Sequence, residues 1–216
     1  IGPDEDGDGQ GDLNVLAVGQ TAGSDPDFIY HIYQQGGEEV VTQYSLGEGS
    51  WDSPYGPRIQ NIRLSDSKLV LSDRGTGTVA SVGFDKANPA TLGSALEDPT
   101  VIMTHDDVES SVEFADHNPA AGYTIAEEDG TITFVTKENT TRSEITVPGG
   151  YLGELTHISG TRYLAPTGLV PGMATIDTMT QQIVRTVEGV GGGVNAVVTS
   201  SAEVEALSQA PVVGEF

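Results

Sequence analysis

Residues 108–147 read VESSVEFADHNPAAGYTIAEEDGTITFVTKENTTRSEITV, and this stretch decides the fold class of the chain. It contains four short runs of β-forming residues, at 111–114, 122–126, 131–136 and 143–147. The predicted turn Asp116-His117-Asn118-Pro119 separates the first two runs, and Asp129-Gly130 joins the middle two. Asp-Gly between alternating runs is typical of a hairpin turn, because both central residues of a type I′ turn need positive φ. The stretch therefore predicts a four-stranded antiparallel sheet.

Similar groups of β runs fill the rest of the chain. The first group has predicted strands at 13–19, 27–34 and 39–46. The second has strands at 58–64, 68–72, 78–84 and 100–104, with irregular chain at 85–99. The last has strands at 153–158, 162–166, 172–177 and 182–187. The first group lacks one strand, and one spare run, 194–200, follows the last group. We predict an all-β fold, a small β-propeller of about four blades closed by pairing of N- and C-terminal strands. A β-sandwich or jelly roll is the alternative, since many short strands also fit that architecture.

The predicted domain organisation has three parts. Residues 1–12 are an acidic Gly/Asp tether, 13–200 form a single β-propeller domain, and 201–216 are a polar C-terminal tail. Residues 173–189, MATIDTMTQQIVRTVEG, resemble the end of a blade in YVTN/WD40-like β-propeller repeat proteins. The resemblance implies a propeller fold and carries no catalytic residues with it.

The charge of the chain restricts its partners. The sequence has 32 Asp and Glu against 9 Lys and Arg, a formal net charge of −23. This acidic excess and the scarcity of lysine resemble proteins of salt-loving microbes, here of haloarchaeal type, in which concentrated salt screens the self-repulsion. An ordinary acidic secreted protein is the alternative. The charge argues against nucleic acid and anionic membrane surfaces as partners.

Other compositional features bear on the location of the protein. Cysteine is absent, so no disulfide or thiol chemistry is expected. The sequence has no run of 18 apolar residues, which argues against membrane insertion. A chain beginning Ile-Gly-Pro is expected to be a cleaved or trimmed product, and we predict an extracellular, cell-surface or virion location.

Candidate metal ligands come from two places. Asp4, Asp6, Asp8 and Asp12, with Gly9, follow the D-x-D-x-D-G spacing of calcium loops, in which alternate carboxylates converge on a hard cation. The twelfth loop position is Val15 rather than a bidentate Glu, so a solvated acidic tether is the favoured interpretation. Otherwise no cofactor is expected.

Histidines give weaker signals for a metal. His105 and His117 flank the start of the third unit and form a candidate zinc pair, although solvated loop histidines are the favoured interpretation. His31 and His157 lie in predicted strands, where a structural role is expected. Asn139-Thr140-Thr141 is a glycosylation sequon in a polar loop.

Carboxylates on predicted inner strands are the only candidates for catalysis. A propeller-type glycan hydrolase or lyase would use such acids, here Glu113 and Glu154 on the strands with Asp66 and Asp116 at strand ends. Acidic residues at these positions are expected from composition alone, and no catalytic residue is assigned. We therefore predict that the protein is not an enzyme.

Aromatic residues give the candidate contact site. Trp51 and Tyr55 lie in a Pro/Gly-rich loop and are the predicted binding residues, because Trp and Tyr supply rigid contact area. The favoured function is a surface-exposed binding or assembly module of a halophile, with a protein or glycan partner and homo- or hetero-oligomeric assembly. The alternative is a structural subunit of a virion spike or capsid, surface layer or appendage.

Overall fold

The computed structural model describes residues 14–19, 28–35, 38–45, 59–65, 67–73, 76–85, 88–104, 112–148, 150, 152, 155–167 and 172–188. The chain divides into two compact units between residues 108 and 109. Each unit contains two antiparallel sheets. In all four sheets, hydrogen-bonded neighbours are also neighbours along the chain.

The first unit contains a three-stranded and a four-stranded sheet. The three-stranded sheet consists of β1 (Asn14–Gly19), β2 (Phe28–Gln35) and β3 (Glu38–Ser45). The second sheet consists of β4 (Ile59–Ser65), β5 (Lys68–Asp73), β6 (Thr78–Gly83) and β7 (Thr100–Met103). These strands match the sequence-based expectation to within a few residues.

Both sheets of the second unit have four strands. The first consists of β8 (Val112–Asn118), β9 (Gly122–Glu127), β10 (Thr131–Val135) and β11 (Arg142–Thr146). The second consists of β12 (Thr156–Ser159), β13 (Arg162–Thr167), β14 (Gly172–Asp177) and β15 (Gln182–Glu188).

Some strands are buried on both faces, whereas others have one face in solvent. Every residue of β9 is buried, and so is almost all of β5, β6 and β13. By contrast, β3 and β11 alternate between exposed and half-buried residues. A strand packed on both faces needs apolar or small residues throughout, whereas a strand with one wet face needs them only at every second position.

Each unit has its own hydrophobic core. In the first unit the core is centred on Leu69, Leu71 and Ile59, with Ile29 joining it from the neighbouring sheet. In the second unit Phe114, Ile132 and Leu155 are among the buried members, and residues of β13 and β14 complete the cluster. Burial of these side chains supplies the main free energy of folding for each unit, at about 1.5–3 kcal/mol per large apolar side chain.

Two local expectations were wrong. Part of the segment predicted as irregular is helical, with a 3₁₀ turn at Pro89–Thr91 followed by the short helix α1 (Leu92–Glu97). Leu92 and Leu96 lie four residues apart and are both buried, so packing against the core stabilises this helix.

The second error concerns β8. Residues 116–119 were expected to form a turn, yet the strand continues through Asn118, which pairs with Gly122. Asp116 and His117 remain in the ladder opposite Thr124 and Tyr123. The turn is confined to the residues that follow, because the pairing with β9 supplies partners for the backbone of β8 up to its last residue.

A side-chain hydrogen bond joins the two sheets of the second unit, and a backbone bond extends the first of them beyond the β10–β11 ladder. Ser143 Oγ on β11 donates to Gln181 Oε1 in the turn before β15, at 2.6 Å. The N–H of Val147 donates to the carbonyl of Gly130 at 2.9 Å. Gly130 has a φ of 99°, and a Cβ there would lie 2.9 Å from the Cα of Gly150, so this close approach requires glycine.

Four antiparallel meanders fit a β-propeller of about four blades. A sandwich of the kind considered as the alternative uses Greek-key connections, which bring non-consecutive strands side by side, and no such pairing occurs among the described strands. The predicted closing strand 194–200, the tether 1–12 and the tail 201–216 lie outside the described residues, so ring closure and a single domain over 13–200 stay predictions.

Candidate functional site

The residues predicted to contact a partner or bind calcium lie outside the described part of the chain. They are Trp51, Tyr55, Asp4, Asp6, Asp8 and Asp12. These assignments stay predictions.

A group of polar side chains joins the two sheets of the second unit. We call it the polar seam and define it as Asp116, Asn118, His157, Gly160 and Tyr163. Asn118 Nδ2 donates to the carbonyl of Gly160 at 2.8 Å, and Tyr163 Oη donates to Asp116 Oδ2 at 2.8 Å. The seam therefore connects the end of β8 with the β12–β13 hairpin.

Local structure positions the hairpin side of the seam. Gly160 and Thr161 form the two-residue turn between Ser159 and Arg162, which are paired, and Gly160 has a φ of 57°. Positive φ at this position is what a two-residue hairpin turn demands. The carbonyl of Gly160 also accepts from Nε2 of His157 at 3.0 Å, so this oxygen receives two side-chain donors.

Both carboxylate oxygens of Asp116 have partners within the fold. Oδ1 accepts from the backbone N–H of His117 at 2.8 Å, and Oδ2 accepts from Tyr163. The phenol ring of Tyr163 is 2% exposed, and Phe114 meets it edge-on with ring centroids 5.9 Å apart. Asp116 thus supplies a polar acceptor for a hydroxyl that is carried on a buried ring.

His117 does not have the solvated environment expected from the sequence. It is 6% exposed, and its ring lies 4.8 Å from the ring of Tyr123, its cross-strand partner. His105, the other candidate zinc ligand, lies outside the described residues. Within the described part of the chain, no group of three His, Asp or Glu side chains is placed to hold a metal ion.

Of the acids considered for glycan cleavage, the structure describes the side chain of Asp116 and the strand position of Glu113. Asp116 is engaged with Tyr163, and Glu113 lies on β8 three residues earlier. Asp66 and Glu154 fall outside the described part of the chain. The separation of two carboxyl groups, which determines the stereochemistry of glycoside hydrolysis, is therefore not defined by the described residues.

Other aspartates organise turns in the same way. Asp177 ends β14, and its Oδ1 accepts from Thr161 Oγ1 at 3.0 Å and from the N–H groups of Met179 and Thr180 at 3.0 and 3.2 Å. Its Oδ2 lies 3.8 Å from Nε of Arg162. Asp177 belongs to the stretch Ile-Asp-Thr-Met-Thr within the blade-end segment 173–189. The position of the Asp has a physical reason, because an Asp before a turn satisfies the N–H groups two and three residues later.

Little in the amino-acid sequence indicates the polar seam. Its contacts join residues far apart in sequence, with a separation of 42 residues between Asn118 and Gly160 and of 47 between Asp116 and Tyr163. One usable signal was the Ser-Gly-Thr turn between two predicted strands, which places Gly160 at a hairpin tip. The pairing of that tip with β8 depends on how two blades pack, which strand periodicity does not encode.

A few large apolar side chains remain exposed. Val41 on β3 is 57% exposed, Met179 in the β14–β15 turn is 53% exposed, and Val184 on β15 is 43% exposed. Scattered single apolar residues on a surface are normal and need no partner to explain them. Among the described residues there is no helix long and apolar enough to cross a membrane.

No protein-family model and no curated protein sequence matches the chain. Solved structures do. The WD40 domain of Toxoplasma gondii coronin matches with a TM-score of 0.51 at 18% identity, over 84% of this chain and 50% of that one. Saccharomyces cerevisiae Sqt1 matches with a TM-score of 0.55 at 9% identity, over 86% and 50% of the two chains. The computationally designed Ika8 protein gives 0.51 at 15% identity, over 89% and 54%.

The chain therefore spans about half the length of the structures it matches. At these identities the likeness concerns the fold alone. It confirms the all-β propeller architecture predicted from the sequence, with a WD40-like arrangement of about four antiparallel blades.

Proposed function

We propose that this chain is a non-enzymatic binding and assembly module. The observation that carries the proposal is the engagement of the described turn carboxylates. Asp116, Asp129 and Asp177 each accept hydrogen bonds that fix a strand end or a turn. Carboxylates used in this way stiffen the turns, and stiff turns present a fixed surface to a partner at low entropic cost.

The location and setting of the module belong to the same proposal. The net charge of −23 and the scarcity of lysine favour a halophile, in which salt screens the acidic surface. An acidic chain without cysteine suits an extracellular place, on a cell surface or a virion. The partner is then a protein or a glycan, bound through turn and aromatic residues rather than through charge attraction.

Trp51 and Tyr55 are the residues proposed to make this contact, and calcium at Asp4, Asp6, Asp8 and Asp12 is a secondary feature of the same proposal. In multimolar salt, charge pairs on the surface contribute little to affinity because the Debye length falls to about 3 Å at 1 M. Aromatic contacts lose much less binding free energy in such salt, since salt does not weaken the burial of apolar area.

The alternative assignment is a structural subunit of a virion, surface layer or appendage. The exposed apolar side chains on the described strands, Val41 and Val184 among them, are scattered singly and do not by themselves favour a subunit interface. A glycan hydrolase or lyase is the second alternative, and Asp116, the candidate acid whose side chain is described, accepts hydrogen bonds from Tyr163 and from the N–H of His117.

Sedimentation velocity combined with glycan-array binding in multimolar KCl tests the proposal. A binding module sediments as a discrete small species and retains specific ligands on the array. The double variant Trp51→Ala/Tyr55→Ala should lose at least about 2 kcal/mol of binding free energy, about 30-fold in Kd. Thr146→Ala, an exposed change on β11, is the matched control.

Two results would contradict the proposal. Unchanged binding by the double aromatic variant would remove the proposed contact site. Concentration-dependent growth into large assemblies, with no array binding, would favour the structural subunit instead.

A further inference from the structure

We propose that Asn139 is a site of N-linked glycosylation. The inference deepens the proposed function, because it rests on the exported, surface-exposed setting. Asn139-Thr140-Thr141 is the single Asn-x-Ser/Thr sequence of the chain. The other asparagines have a different residue type two positions later, and they are Asn14, Asn61, Asn88, Asn118 and Asn195.

The sequon lies at the tip of the β10–β11 hairpin. The last ladder pair is Val135 with Arg142, and the loop is closed beyond it by the N–H of Thr136, which donates to the carbonyl of Thr141 at 3.0 Å. The N–H of Asn139 donates to the carbonyl of Thr136 at 2.8 Å, and Asn139 has a φ of 55°. Asn139 is thus the left-handed residue of a hydrogen-bonded turn.

Turn geometry accounts for Asn139 but not for a hydroxyl at position 141. Asn is among the residues that adopt positive φ most readily. Thr141, however, makes its described hydrogen bonds through its own backbone atoms. Its N–H donates to Thr136 Oγ1 at 3.2 Å, and its carbonyl accepts from the N–H of Thr136. Any residue other than proline could make these two bonds. The hydroxyl of Thr141 is what the glycosylation sequence requires and what the loop does not.

Solvent surrounds the tip. Thr140 and Thr141 are exposed, as are Lys137 and Glu138, whose side chains are 60% and 59% exposed. Asn139 itself is half-buried. The neighbouring strand β11 buries no residue completely. A bulky sugar at this tip would therefore project into solvent without displacing core side chains.

The chemistry needs a co-reactant from outside the chain, a lipid-linked oligosaccharide handled by a membrane transferase. Nδ2 of Asn139 forms a bond to the anomeric carbon of the first sugar. The bond from that carbon to the lipid phosphate oxygen breaks, and its electron pair leaves with the phosphate. Nδ2 gives up one proton to a base of the transferase, so the product is a neutral N-linked glycan.

The test secretes the full chain behind a heterologous signal sequence from a host that performs N-glycosylation. Forced export separates this site from the question of the natural location. Intact mass and peptide mapping are expected to show a glycan on Asn139 that an amidase removes, with Asn139 converted to Asp. Thr141→Ser keeps the sequon and should keep the glycan, while Thr141→Val and Asn139→Gln should lose it completely.

Several outcomes would overturn the inference. They are a secreted wild-type chain without glycan, a glycan at another residue, and a glycan that persists in Thr141→Val. Thr141→Val leaves the left-handed Asn139 in place, so it tests the site even if Asn139→Gln disturbs the turn. Thermal melts of both secreted variants, compared with the amidase-treated wild type, establish that the fold is intact.

Discussion

At the scale of single residues, His31 is the clearest case of chemistry set by burial. It is fully buried on β2, its ring lies 4.7 Å from that of Tyr33 and 5.3 Å from that of Phe84, and its cross-strand partners Leu16 and Thr42 carry no charge. Desolvation lowers the pKa of His31 below the ordinary value of 6.5, because a charged imidazolium is disfavoured in this environment.

This pKa predicts how stability depends on pH. Below about pH 6.5 the unfolded chain takes up a proton at His31 that the folded chain resists, so the contribution of His31 to stability is complete above that pH and is lost as the pH falls. Urea unfolding between pH 8 and 5 should show this loss of unfolding free energy. His31→Phe should remove the part of the pH dependence that comes from His31. The difference between the two chains then separates the effect of His31 from that of the many carboxylates. Parallel curves for both chains would contradict the prediction.

Tyr163 gives a second prediction for a single residue. Tyr163→Phe removes the donor to Asp116 while keeping the buried ring, and it should lower the free energy of unfolding by about 1 kcal/mol. A double-mutant cycle with Asp116→Ala, measured by urea unfolding, should give a coupling of about 1 kcal/mol between the two side chains. Additive effects would show that the hydroxyl and the carboxylate act independently.

At the scale of elements, nearly every strand was predictable because alternation and turn residues are local signals. The sheet formed by β8 to β11 shows where local sequence signals fail. Asp116 and His117 were assigned to a turn because Asp, His, Asn and Pro are turn-rich, yet β8 runs through Asn118. Pairing with β9 overrides that local preference, and the polar seam was missed with it. Helix α1 was missed for a similar reason, since its stability comes from two buried leucines.

Glycine turns allow a matched test at the same scale. Gly122 begins β9 with a φ of 102°, and a Cβ there would collide with the carbonyl oxygen of Val135. Gly122→Ala should cost at least about 2 kcal/mol. Gly160→Ala, with positive φ but open space around it, should cost about 1 kcal/mol. Gly83→Ala, with open space and no positive φ, should stay within about 0.5 kcal/mol.

Urea unfolding of the three variants checks this order. Equal losses for Gly122→Ala and Gly160→Ala would mean that the contact with Val135 adds nothing to the backbone strain. A loss for Gly83→Ala as large as the others would show that neither strain nor collision determines the cost.

At the scale of the whole molecule, the charge of −23 should make stability depend on salt. Self-repulsion is long-ranged in dilute buffer, where the Debye length is about 10 Å at 0.1 M, and is screened in multimolar salt. The Tm should rise steadily with KCl concentration, more than in sucrose of equal osmolality. A Tm that is flat or falls with KCl would contradict the halophile proposal.

Calcium gives a separate test of the acidic N-terminal segment. Millimolar calcium in dilute buffer should raise the Tm more for the wild type than for a chain in which Asp4, Asp6, Asp8 and Asp12 are changed to Asn. Equal responses of the two chains would assign the calcium effect to general screening rather than to a site.

Ring closure is a further property of the whole molecule. Deleting residues 194–216 should abolish cooperative unfolding if 194–200 completes the N-terminal blade, since an open edge and an unfinished sheet would remain. Deleting only the predicted tail, 201–216, is the matched control and should leave the melt unchanged. Circular dichroism melts distinguish the two results, and an unchanged melt after the longer deletion would refute the closure.

The two-sided burial of β5, β6, β9 and β13 also determines where the protein can change over evolutionary time. In β9 every side chain faces packed neighbours, so each substitution must conserve volume. In β11 every second side chain points to solvent and is free to drift. Relatives of this chain should therefore differ with a period of two along β3 and β11 and remain nearly constant along β5, β6, β9 and β13. Blades would then be recognisable by their buried residues, while their solvent-exposed residues diverge to suit different partners.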